Sequence, residues 1–152
     1  DVTGGLIEEV WKKSGKYSIF NRLKSLESIN IPEYIPETEP GIVISLNILT
    51  QLESLLVDFL RKKSKISEQE FARFRGEIQK KHIDFLKKYE SVLISDIAEV
   101  ITDNAGNIKV VPTLVTDIPS GRLKEEWTWN FDLKGADFYN SRSVIKVIAI
   151  II

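Results

Sequence analysis

Residues 126–133 read Glu-Trp-Thr-Trp-Asn-Phe-Asp-Leu. Trp127, Trp129, Phe131 and Leu133 alternate with Glu126, Thr128, Asn130 and Asp132. That period of two is the mark of a β-strand, because successive side chains leave opposite faces of the pleat. The stretch decides the fold through its neighbours. After it, Lys134-Gly135-Ala136-Asp137 is a turn, and Ser143–Ile152 is nearly all Val and Ile, the composition of a central strand. Before it stand two turn clusters, Asp103-Asn104-Ala105-Gly106-Asn107 and Pro119-Ser120-Gly121. Between them Ile108, Val110 and Val111 predict a strand that Leu114–Thr116 extends. Pro112 lacks an N–H, so this strand belongs at an edge or a bulge.

Upstream the spacing becomes helical. Ile48, Leu49, Leu52, Leu55, Leu56, Phe59 and Leu60 share one broad stripe, and Arg61, Lys62 and Lys63 suit the negative end of the helix dipole. Ser67 and Glu70 form a capping-box pattern, with Ile66 and Phe71 at the staple positions. A second stripe runs Phe71, Phe74, Ile78, Phe85, Tyr89 and Val92, with His82 on it, and Gly76 suggests a close crossing with the first helix. Two long helices joined by Ser64–Ile66 predict an antiparallel hairpin. Leu6–Lys13 (Leu6, Val10, Trp11) and Tyr17–Ile29 (Ile19, Phe20, Leu23, Leu26) predict shorter helices. Pro32, Pro36 and Pro40, interleaved with Glu33, Glu37 and Glu39, predict an extended acidic connector.

Helices first and strands after is the α+β order. The expectation is N-terminal helices, including a long antiparallel hairpin, packed on a C-terminal, mostly antiparallel sheet of about four strands. The 152 residues fit one domain: short helices over 1–30, the connector over 31–41, the hairpin over 42–93 and the sheet over 94–152.

Composition narrows the function. Basic residues number 21 and acidic residues 22, a net charge of -1, which excludes a strongly basic nucleic-acid module and an acidic disordered tail. The absence of Cys excludes a disulfide framework, a thiolate zinc site and a Cys nucleophile. One His excludes a multi-His metal site. No apolar run approaches the ~20 residues that span a bilayer, and the charged start resembles no signal peptide. No membrane partner and a cytoplasmic location are expected. No phosphate-binding glycine loop or Gly-x-Ser-x-Gly elbow occurs.

Four features could carry function. The first is Asp132-Leu133-Lys134, preceded by Asp117 across one turn, with Glu99 or Glu90 as an upstream acid. This layout resembles that of the metal-dependent PD-(D/E)xK nucleases. The resemblance covers only these residues, and Asp117 follows Thr116 where the pattern has Pro. It implies that Asp117 and Asp132 hold Mg²⁺ and that Lys134 positions or deprotonates water. Period two would set Asp132 and Lys134 opposite the Trp face. The alternative is a solvated strand face with an ion pair. The second is His82, a general base or a structural His on an apolar stripe.

The third is segment 61–88, with 10 basic and 4 acidic residues, including Arg73, Lys80 and Lys81. It would meet nucleic-acid phosphates or an acidic protein, or simply be a solvated face. The fourth is the stripe of Trp127, Trp129 and Phe131, which is core beneath the helices or, facing outward, a recognition surface. Together these favour a non-catalytic protein that binds another protein without a cofactor, of inhibitor, immunity or adaptor type. The first alternative is a Mg²⁺-dependent nuclease using Asp117, Asp132, Lys134 and Glu99. The second is an assembly subunit or homo-oligomer whose apolar strand Val147–Ile152 pairs with a neighbour.

Overall fold

A computed structural model describes residues 1–14, 22–132 and 141–152. Its elements run α1 (Leu6–Ser14), β1 (Ile42–Leu46), α2 (Ser54–Lys63), α3 (Glu68–Leu86), β2 (Glu90–Thr102), β3 (Ile108–Pro112), β4 (Leu123–Asp132) and β5 (Arg142–Ile151). The α+β class is as expected. The sheet has five strands rather than about four, and it is not wholly C-terminal.

β1 is the strand the sequence concealed. It lies in the segment assigned to the hairpin and pairs parallel with β2, Ile42 opposite Glu90 through Leu46 opposite Ile94. A parallel pair cannot be joined by a tight turn. Here α2 and α3 make the crossover, which puts both helices on one face of the sheet. The chain leaves β1 through Asn47, in the left-handed region at φ 52°, a conformation Asn tolerates better than most residues. Residues 48–53 are turns rather than helix, so the predicted long hairpin is not seen. α2 is only ten residues long, and the chain after α3 becomes strand at Glu90, so Val92 belongs to the sheet.

α3 matches its predicted stripe. Ser67 caps it, its side chain accepting from the Glu70 amide at 3.2 Å. The Glu70 carboxylate, however, turns to the preceding segment, accepting from the Leu26 amide at 2.6 Å and from Ser25 Oγ at 2.8 Å. These bonds hold its carboxyl below the usual range. Residues 22–29 are not helical: Leu23 bridges to Ser64, while Leu26 and Ile29 are buried beside Phe71 and Phe74. The Pro connector is extended, as expected, and is pinned by buried Ile31 and by an edge contact of Tyr34 on Phe85. Gly76 faces the Val115 carbonyl, which a Cβ there would meet at 3.5 Å, and does not mark a crossing with α2.

β2 and β5 form the centre of the sheet, whose order is β1-β2-β5-β4. β3 pairs with β2 on the same edge as β1 but further along, from Ala98 to Thr102. It ends at Pro112, an edge position that tolerates the missing N–H, and Leu114–Thr116 do not extend it. The β2–β3 turn is tied by Asp103, whose Oδ1 accepts from the amides of Ala105 and Asn107. β5 lies between β2 and β4, so the C-terminal strand has no free edge to offer a neighbour. Ile19, Phe20, Lys134 and the turn expected at 134–137 lie outside the described residues.

Candidate functional site

The pairing register sorts the side chains into rows across the sheet. One face carries Ser45–Leu93–Ile150–Lys124 and Ser95–Ile148–Glu126. Leu93 and Ile150 on this face are 1% exposed, and Leu93 packs with Leu49, Ile83, Phe85 and Leu86. The other face carries Ile44–Val92–Ile151–Leu123, Leu46–Ile94–Ala149–Glu125 and Glu99–Ile145–Trp129. The helices of the crossover lie on the first face, and among the described residues no helix is packed on the second. Ile42, Ile44 and Leu46 are exposed at one side of it, and Trp127 and Trp129 are 43% and 49% exposed at the other, with Phe131 beside them 48% exposed. The aromatic stripe is therefore not core beneath the helices. Trp129 and Phe131 meet edge to face at 5.9 Å.

β4 also overhangs the helix layer. Lys124, Glu126 and Thr128, on the helix side of the sheet, are exposed as well. The strand is held to β5 at its start by the Arg122 amide, which donates to the Ile151 carbonyl at 2.8 Å. Gly121 permits this approach, since a Cβ there would lie 2.3 Å from that same carbonyl oxygen.

The nuclease-like residues are divided. Asp117 is exposed in the loop before β4. Asp132, buried, pairs with Ser143, whose hydroxyl donates to Glu99 at 2.5 Å. Asp132 and Glu99 are thus brought to one end of the sheet. A register shift between Trp129 and Asp132 breaks the alternation. Asp132 and Trp129 then pair with Ser143 and Ile145, which share one face of β5, so Asp132 is not opposite the Trp face. Glu90 lies at the other end of β2 and pairs with Arg122 at 3.1 Å. Among the described residues no three His, Asp or Glu side chains converge to hold a metal ion.

His82 has a partner that the sequence gave no means to find. Its Nε2 lies 2.8 Å from the Ser45 hydroxyl on β1. Burial lowers the His82 pKa to about 4, so the ring is neutral at pH 7. Ser45 is 2% exposed, which closes it to any substrate. The pair fastens α3 to β1.

The basic segment is largely neutralised. Arg61, Arg73, Arg75, Lys80, Lys87 and Lys88 each have an acidic partner, Glu68, Glu27, Glu53, Asp84, Asp84 and Glu33 respectively, and Lys81 donates to the Ile31 carbonyl. The Lys80 contact lowers the Asp84 pKa, and the Lys88 contact lowers that of Glu33.

A buried polar hub also escaped the sequence. It lies by the gap between β1 and β3 on the edge of β2. Glu53, fully buried at the start of α2, accepts from Arg75 Nε at 2.8 Å and from Gln79 Nε2 at 3.1 Å. Arg75 and Gln79 both donate to the Thr113 carbonyl, and Gln79 accepts from the Val115 amide at 2.8 Å. Thr50 donates to Asp96 nearby. Desolvation raises the Glu53 pKa despite Arg75. This hub supplies hydrogen bonds where no strand continues the ladder, and it fixes the loop after β3 to α3.

The chain matches no family model, no curated protein and no solved structure. Among the described residues no helix is long and apolar enough to cross a membrane.

Proposed function

We infer that this protein works by binding another polypeptide, with no chemistry of its own, through the open sheet face and the edge of β4. The observation that carries this reading is the half-exposure of Trp127, Trp129 and Phe131 on a strand that extends past the helices. Aromatic side chains of this kind supply large contact area at small conformational cost and are enriched at interface hot spots. An inhibitor, immunity or adaptor role fits such a surface. The test is retention of partners from a cell extract on the immobilised chain, compared with a Trp127→Ala/Trp129→Ala variant of unchanged circular dichroism. Partners held by the wild type and lost by the variant support the reading, and equal retention overturns it.

A Mg²⁺-dependent nuclease is the second reading, favoured by the juxtaposition of Asp132 and Glu99 about Ser143. Its test is a Mg²⁺ and Mn²⁺ titration by calorimetry, with Asp132→Ala alongside. Binding lost in the variant supports it, and no binding in the millimolar range removes it.

A further inference from the structure

We propose that the polypeptide taken at this surface is a second copy of the same chain, its β4 paired antiparallel with this β4 across a two-fold axis. The proposal rests on the reading of the open face as a recognition surface and names its occupant. β4 ends the sheet, so among the described residues no strand lies along its outer side. Such a row of backbone donors and acceptors is a template for another strand. Both faces of β4 are exposed from Leu123 to Phe131, so among the described residues no layer stands in the way of an incoming strand.

The side chains choose the register. A two-fold pairing centred on any residue keeps the tryptophans of the two copies on one common face. Centred on Glu125 or Glu126, it sets that carboxylate against its own copy. Centred on Trp129, it runs onto the irregular end of the strand, where Asp132 is buried. Like charges directly opposite are destabilising. Centred on Trp127, it avoids like charges but makes a single Trp–Trp pair. Centred on Thr128, it sets Trp127 against Trp129 of the second copy, and the symmetry repeats that aromatic pair. Glu126 then lies against Asn130, and beyond it the register shift between Trp129 and Asp132 ends the regular pairing. We take the Thr128-centred register.

Area and charge agree with this occupant. A standard interface takes about 800 Å² from each partner, and β4 offers both of its faces from Leu123 to Phe131. The net charge of -1 gives two copies little mutual repulsion. The contact is isologous and closes on itself, which yields a dimer and not a fibre.

Cysteine substitution tests this directly, because the chain has no Cys of its own. In the proposed register Thr128 faces its own copy, and directly opposed residues in an antiparallel pair lie within disulfide range. Under mild oxidation Thr128→Cys is expected to cross-link at least about tenfold faster than Ser120→Cys, an exposed loop control. Sedimentation equilibrium of the unmodified chain should show a monomer–dimer equilibrium, weakened at least about tenfold in Trp127→Lys/Trp129→Lys. Circular dichroism of each variant verifies folding.

A chain that stays monomeric throughout the accessible concentration range overturns the proposal. So does a dimer in which Thr128→Cys reacts no faster than the control. If the chain is monomeric yet still retains partners through its tryptophans, self-pairing alone has failed. If partner retention also survives the loss of both tryptophans, the recognition surface has failed too.

Discussion

His82 shows how a single side chain ties pH to the stability of this fold. Its ring is partly buried between α3 and β1, with Ser45 bonded to Nε2, and its pKa falls from 6.5 to about 4. Between those values the unfolded chain binds a proton that the folded chain does not. Stability therefore falls as pH drops through that window, by up to about 3 kcal/mol. Glu53 works in the opposite sense, because burial raises its pKa: its contribution is present below the unfolded value and lost as pH rises through the folded one. Comparing the wild type with His82→Leu, by denaturant midpoints at pH 7 and near pH 4.5, cancels the Glu53 part. The variant should lose most of the acid-side slope, and an unchanged slope would assign it elsewhere. The Glu53 hub gives a second prediction. Arg75→Ala leaves a buried carboxylate without its cation and should cost about 3 kcal/mol, whereas Glu53→Gln removes the charge and keeps an acceptor, at a cost of about 1 kcal/mol or less. Equal losses in chemical denaturation would mean that the Arg75 contribution is packing alone. Neither pair was legible in the sequence. Ser45 and His82 are 37 residues apart and Glu53 and Gln79 are 26 apart, and no periodicity links residues that only the crossover brings together.

At the scale of elements, the two faces of β1 and β2 are energetically unequal, and substitution should expose this. Leu93 is buried against Leu86 and Ile83, so Leu93→Ala should cost about 2–5 kcal/mol. Ile44 lies on the open face, 65% exposed, and Ile44→Thr should change stability by about 0.5 kcal/mol or less. Thermal melts of the two variants decide the matter, and a large loss at Ile44 would mean that the open face is covered. The same inequality explains which elements could be read. Trp127–Phe131 was legible as a strand because polar residues alternate with aromatics, and α3 because its stripe faces a core. β1 was not: Ile-Val-Ile-Ser-Leu is apolar on both faces, and a short run of that kind is also consistent with a helix. The Ile48–Leu60 stripe fitted a helix by spacing, yet Leu55 is 81% exposed and Glu53 fully buried, because the turn after Asn47 rotates α2 out of the predicted phase. β2 was half lost for a related reason, since Tyr89 and Val92 happen to continue the α3 stripe past Lys87.

For the whole molecule, the sequence put Trp127, Trp129 and Phe131 on one strand but did not decide which side of the sheet its aromatics would take. Amphipathic patterning says which residues share a face, and it is silent on which face a crossover will cover. Because β1 precedes α2 and α3, the crossover fills one face of the sheet, and among the described residues no second helix layer fills the other. The native state should then hide less apolar surface than its length predicts, and heat capacity measures this. A chain of 152 residues ordinarily unfolds with a ΔCp of about 1.8–2.3 kcal/mol/K. Apolar area already exposed in the folded state adds nothing on unfolding, and each Å² of it removes about 0.45 cal/mol/K. Every 500 Å² of apolar area left open on the second face therefore lowers ΔCp by about 0.2 kcal/mol/K. Calorimetry on dilute, monomeric protein should therefore give a value below that ordinary range. At concentrations where copies pair, the unfolding transition should move to higher temperature, by mass action, and ΔCp per chain should rise as the tryptophans leave water. A dilute monomer with the full ordinary ΔCp would mean that the open face is closed in solution, and both the recognition surface and the β4 pairing would lose their physical basis.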